Sequence, residues 1–170
     1  NLFFDSLVGV VQIGFGITVL ATLSPASLFP TPLGLITGVG VGTACLGFQL
    51  LYNRGARITK ASLTRKYFLS QILILCFFIP AEELFYRGVF LTRLTAIWGS
   101  FTAITITTAL SSMIAVVSSR KPLYWAGSAI MGVLCGLGYY YSQSIWAPVL
   151  IHIGNDIGFE ALNDPRDLFQ

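Results

Sequence analysis

Six residues carry side chains able to do chemistry where apolar sequence surrounds them: Glu82, Glu83 and Arg87 in one run, and His152, Asn155 and Asp156 in another. Of the seven acidic residues in the chain, Glu82, Glu83, Asp156 and Glu160 sit within or at the ends of apolar runs, and His152 is the single histidine. In a bilayer such a charge costs about 3 kcal/mol or more unless it is paired or hydrated. Residues of this kind therefore mark a functional site, or buried ion pairs that hold helices together.

On a helix, side chains four apart share a face and adjacent ones diverge by about 100°. Glu83 is thus set to pair with Arg87, leaving Glu82 turned elsewhere as a desolvated carboxylate, the kind of group that takes or gives a proton near neutrality. Pro80, just before it, withdraws a backbone hydrogen bond and opens a polar notch in the helix. His152, Asp156 and Glu160 form a second stripe at four-residue spacing with Asn155 beside it, and Glu82 with Arg87 is the expected partner of that stripe across the bundle.

Other intramembrane chemistries fit these residues badly. A zinc protease needs the two histidines of HExxH. An aspartyl pair needs two Asp residues in apolar spans, where only Asp156 qualifies. A serine dyad of His152 with Ser111, Ser112, Ser118 or Ser119 lacks a Gly-x-Ser context. There is no phosphate loop, dinucleotide fingerprint or haem signature, and neither a cofactor nor a metal is expected. Cys45, Cys76 and Cys135 all fall in apolar runs, where a thiol behaves as a small hydrophobe, so no disulfide framework is read.

The elements that position these residues are expected to be helices in lipid. The chain is 55 % hydrophobic and 10 % charged, with a mean hydropathy of +0.77, more apolar than a water-soluble core of this size requires. A spanning helix takes about 20 residues, so the chain holds roughly six spans. The expected fold is all-α, a polytopic transmembrane helix bundle in which residues 1–170 form a single domain. The apolar runs cover residues 7–23, 33–52, 67–94, 98–117, 123–141 and 145–162. Gly38, Gly40 and Gly42 fall in the second. In the fifth, Ser128, Gly132 and Gly136 have the small-xxx-small spacing of a close packing face.

Arg54, Arg57, Lys60, Arg65 and Lys66 form one basic loop, and Arg120 and Lys121 a second. With six spans, both loops fall on the same side as the termini, the cytoplasmic or stromal side of a bacterial plasma membrane, a thylakoid or another organelle membrane. The formal charge of +3 thus serves orientation in a lipid bilayer, and no nucleic acid is expected as a partner. The start at Asn1, without Met, leaves room for a leader or further helices upstream. Depth is consistent: Glu82 lies about 22 Å from Tyr67 and His152 about 11 Å from Ile145 along their helices, in the same half of a hydrocarbon core of about 30 Å.

The segment Glu82-Glu83-Leu84-Phe85-Tyr86-Arg87-Gly88 resembles the EExxxR motif of the CPBP family, which comprises type II CAAX prenyl endopeptidases and related bacteriocin-processing and abortive-infection membrane proteins. A CPBP-like core over about 67–162 is implied. By that resemblance Glu82 activates water, Glu83 and Arg87 shape the site, and His152 helps to bind the reacting carbonyl. The family has Asn or Asp four residues after that histidine; here Asp156 stands there, with Asn155 one residue earlier. The chain departs from the family in the fourth span, where FxxxH is usual and Ser119 or a near neighbour takes the histidine's place.

The resemblance leaves two readings open. One is a metal-independent, glutamate-type intramembrane endopeptidase acting on a membrane-anchored or prenylated peptide. The other is a catalytically degenerate member that serves as a structural or assembly subunit of a larger membrane protein complex. A proton or small-molecule carrier would need a polar path to both surfaces, and the uncharged second and fifth runs give no sign of one.

Overall fold

The computed structural model describes residues 10–11, 13–19, 21, 25–52, 72–118 and 122–162. The basic loop from Arg54 to Lys66, the turn with Arg120 and Lys121, Ser119, and the side chains of Ser118 and Glu160 lie outside the described residues. Among the described residues there is no strand. They form helical residues between 10 and 21, a short 3₁₀ turn at Pro25–Leu28, and five long helices. These are α1 (Pro32–Tyr52), α2 (74–98), α3 (Ser100–Ser118), α4 (Pro122–Ser142) and α5 (Trp146–Leu162).

Local chemistry sets the ends of these helices. Thr31 caps α1, its hydroxyl accepting from the Gly34 N–H at 3.0 Å, and Pro32 and Pro122 occupy first-turn positions where no N–H is needed. At the start of α5, the fully buried Ser144 hydroxyl accepts from the Trp146 N–H at 3.4 Å and donates to the Phe29 carbonyl at 3.0 Å. Helix α2 runs past the expected end near Leu94 to Trp98. It stops because Gly99 turns to φ 78°, a left-handed conformation that glycine adopts without strain.

Helix α2 changes pitch along its length. It is π-helical over Ile74–Phe78, α-helical over Ile79–Glu83, π-helical over Leu84–Leu91 and α-helical over Thr92–Trp98. Pro80 is one cause: it has no N–H for the carbonyl one turn before it, and the helix widens there, the Ile79 N–H reaching the Ile74 carbonyl. The hydrogen bond withdrawn by Pro80 thus goes with a π turn of apolar residues that ends at Phe78, one turn before the two glutamates.

Small residues bring the helices together. A Cβ at Gly38 would lie 2.9 Å from the Leu150 Cβ, and one at Gly42 2.6 Å from the Leu150 carbonyl oxygen, while Gly154 of α5 faces the Gly42 backbone directly. Gly40 looks into open space. Gly132 and Gly136 of α4 meet Thr108 and Ile104 of α3, as their spacing implied. The helical residues near 16 pack on α2, with Gly16 against Leu84 and Phe15 ringed to Phe85 at 6.4 Å.

Ile79, Leu84, Leu91, Ala103, Ile104, Tyr139, Ile145 and Val149 form the larger buried cluster. Yet Glu83 and Ser144 are as deeply buried as any of these and Thr107 nearly so, while Phe101 is 84 % exposed and Ile36 71 %. Within α1, the stretch Pro32–Gln49 is long and apolar enough to cross a bilayer, and most of it faces outward.

Candidate functional site

The pitch changes in α2 flank Glu82 and Glu83, and the second π segment carries Arg87. Glu83 is fully buried and Arg87 2 % exposed. Arg87 Nη1 donates to Glu83 Oε1 at 3.2 Å, the pair expected from four-residue spacing. From its other terminal nitrogen, Arg87 donates to the Ser111 hydroxyl of α3 at 3.4 Å and to the Gly132 carbonyl of α4 at 3.3 Å. The guanidinium also lies 5.8 Å from the Tyr86 ring centroid, within cation–π range. One cation thus touches three helices.

The fourth helix joins through the same carboxylate. His152 Nδ1 lies 2.7 Å from Glu83 Oε1. A carboxylate already accepting from arginine is an acceptor only, so the imidazole donates from Nδ1 and its orientation is fixed. His152 Nε2 then lies 3.6 Å from Asp156 Oδ2. The side chains of His152 and Asp156 remain 17 % and 24 % exposed, which leaves the cluster an open edge on α5.

Glu82 is half-buried and makes no hydrogen bond among the described residues, yet its carboxylate, that of Glu83 and a ring nitrogen of His152 lie within 4.8 Å of one another. The expected convergence of Glu82, Arg87 and His152 is present, with one correction: the partner of His152 is Glu83, not Glu82. The reason is reach. Arg87 draws Glu83 toward the bundle axis, where α5 also points its histidine, whereas Glu82 diverges by one residue's rotation.

The same rotation separates Asn155 from Asp156. Asp156 shares the His152 face, and Asn155 turns toward α1, where its Oδ1 accepts from Gln49 Nε2 at 3.1 Å. Its own amide nitrogen donates to Asp156 Oδ1 at 3.1 Å. Gln49 went unnoticed in the sequence; the signal available was an amide in an otherwise apolar run. Ser111 serves Arg87 and the Thr108 carbonyl, and neither it nor buried Ser112 bonds to His152, so these two members of the serine-dyad alternative have no geometry here.

Glu82, Glu83 and His152 also offer a donor set that a divalent cation can use. A cation there would stand beside the Arg87 guanidinium, which already supplies positive charge at Glu83. Glu83 Oε2, Arg87 Nε, Thr108 Oγ1 and Ser112 Oγ are buried without a partner among the described residues. Such unmet polar atoms are costly in a core kept only for stability.

A family model described as type II CAAX prenyl endopeptidase Rce1-like matches residues 65–158, more than half of the chain. The match takes in all six candidate site residues and leaves out Gln49. No curated protein and no solved structure matches the chain.

Proposed function

Since this chain belongs to the type II CAAX prenyl endopeptidase Rce1-like family, we propose that this CAAX protease-like membrane protein is a glutamate-dependent intramembrane endopeptidase. Its substrate would be a membrane-anchored, prenylated peptide. The membrane setting is supported by the inverted distribution of side chains: Phe101 and Ile36 outward, Glu83 and Thr107 inward. A polytopic bundle of six spans, with its basic loops on the cytoplasmic or stromal side, is the arrangement that follows.

The observation that carries the catalytic reading is the contrast between the two glutamates. Glu83 is held by Arg87 and His152, whereas Glu82 makes no hydrogen bond among the described residues and stands beside His152 near the open edge. Glu82 takes a proton from water as the water oxygen attacks the peptide carbonyl. His152, carrying a proton on each ring nitrogen between the Glu83 and Asp156 carboxylates and fixed through Nδ1 by Glu83, donates from Nε2 to the oxygen that becomes negative. The tetrahedral carbon then expels the amine, which takes the proton that Glu82 received. Asp156 and Asn155 hold the histidine's outer side.

A second reading has its own observation. Toward this cluster α3 presents Ser111, which is not an acid–base group, and Arg87 with Glu83 ties four helices together. That is the arrangement a non-catalytic subunit of a membrane complex would keep. The test is cleavage of prenylated and unprenylated peptides by purified protein in lipid nanodiscs, with Glu82→Gln as the comparison. Cleavage of the prenylated peptide that falls at least about 100-fold in the variant supports the protease, by the usual effect of an acid–base group. No cleavage by folded wild type supports the structural subunit.

A further inference from the structure

Helix α1 lies outside the family-matched segment, yet it reaches the site through one side chain. Gln49 Nε2 donates to Asn155 Oδ1, Asn155 Nδ2 donates to Asp156 Oδ1, and Asp156 Oδ2 stands 3.6 Å from His152 Nε2. An asparagine amide can be turned by half a rotation with little change of shape, exchanging its donor and acceptor ends. In the bundle two bonds agree on one orientation: the Asp156 carboxylate, which can only accept, takes the Asn155 nitrogen, and the Gln49 nitrogen meets the Asn155 oxygen at the other end. Without Gln49, the Asn155 oxygen loses its partner on α1 and the amide is held at its Asp156 end alone.

The approach of Gln49 is itself built. A Cβ at Gly158 would lie 2.7 Å from the Gln49 Cβ, so glycine at 158, two residues beyond Asp156, makes the seat for this side chain.

We infer that Gln49 is a positioning residue for the site: by fixing the Asn155 amide it holds Asp156 against the outer nitrogen of His152. This rests on the proposed protease reading for its effect on rate, but not for its effect on His152. The chain has one histidine, so in protein labelled with ¹⁵N-histidine the ring signals report His152 alone.

The experiment compares wild type, Gln49→Met, Gln49→Glu, Gly158→Ala and, as a control on the same helix, Gly40→Ala, whose added methyl meets open space. All are studied as full chain in nanodiscs. Gln49→Met keeps the bulk and removes the donor. Gln49→Glu keeps the length and offers only an acceptor, so that two carboxylates compete for the Asn155 nitrogen. Both, and Gly158→Ala by displacing Gln49, are expected to move the His152 ring signals, with no movement in Gly40→Ala. On prenylated peptide the two Gln49 variants are expected to lower kcat by roughly 10-fold, the rate cost of one misplaced hydrogen bond, with KM unchanged. In an Asn155→Ala background, Gln49→Met should add nothing.

Ring signals unmoved in both Gln49 variants, or effects of Gln49→Met and Asn155→Ala that simply add, overturn the inference. If the wild type cleaves nothing, the protease reading falls, and the His152 signals still decide the role of Gln49.

Discussion

Replacing Arg87 with methionine should be among the most damaging single changes this bundle can suffer. The guanidinium is 2 % exposed and has partners on α2, α3 and α4. Methionine fills similar space, so the loss is electrostatic. It leaves Glu83, with no solvent contact, holding a charge whose remaining ion-pair partner among the described residues is His152. Breaking a buried pair in this way costs about 3–5 kcal/mol, against a total stability on the order of 5–15 kcal/mol. Adding Glu83→Gln removes the stranded charge while keeping an oxygen for the His152 N–H, and the double variant should regain about half of the loss or more. Unfolding in detergent can be followed by the reactivity of Cys135, fully buried in the folded chain. The reasoning is refuted if Arg87→Met lies within about 1 kcal/mol of wild type, or if the double variant is no more stable than the single one.

Other substitutions test the frame around the site. Gly154→Ala should cost about 3 kcal/mol or more, since its methyl would fall on the Gly42 backbone, whereas Gly40→Ala should be neutral or stabilise α1 by about 0.5–1 kcal/mol; unfolding curves of the two compare them directly. Tyr139→Phe, which removes the 2.9 Å bond to the Thr92 hydroxyl at a 4 % exposed position, should lower stability by about 1 kcal/mol in the same assay. A strong divalent chelator should leave peptide cleavage unchanged, because Arg87 supplies the charge at Glu83; loss of activity that returns on adding back one metal would overturn that reasoning.

The sequence was most readable where geometry is local. Spacing alone identified the Glu83–Arg87 pair, the stripe of His152 and Asp156, and the Gly132–Gly136 face, because all are set by the turn of one helix. It misassigned the carboxylate that meets His152, because that choice depends on the phase of two helices relative to each other, and two π segments shift the phase of α2 in a way no periodicity analysis anticipates. It missed Gln49 for a related reason: contact with Asn155 requires the glycine seam between α1 and α5, and Gly34, Gly38, Gly42, Gly154 and Gly158 contribute to it from opposite ends of the chain.

The π segment Leu84–Leu91 has a meaning for how this helix tolerates change in length. A widened turn accommodates an extra residue without breaking the helix, so everything after it is rotated by about 100° from where a regular helix would put it. Leu91, 1 % exposed in the core, and Thr92, bonded to Tyr139, reach the bundle in that rotated frame. Deleting one residue between Glu83 and Leu91 would therefore behave less like a shortening than like a change of reading frame in space. The glutamates would keep their place while Leu91 and Thr92 swung away from theirs, and one insertion elsewhere in the segment could restore the register.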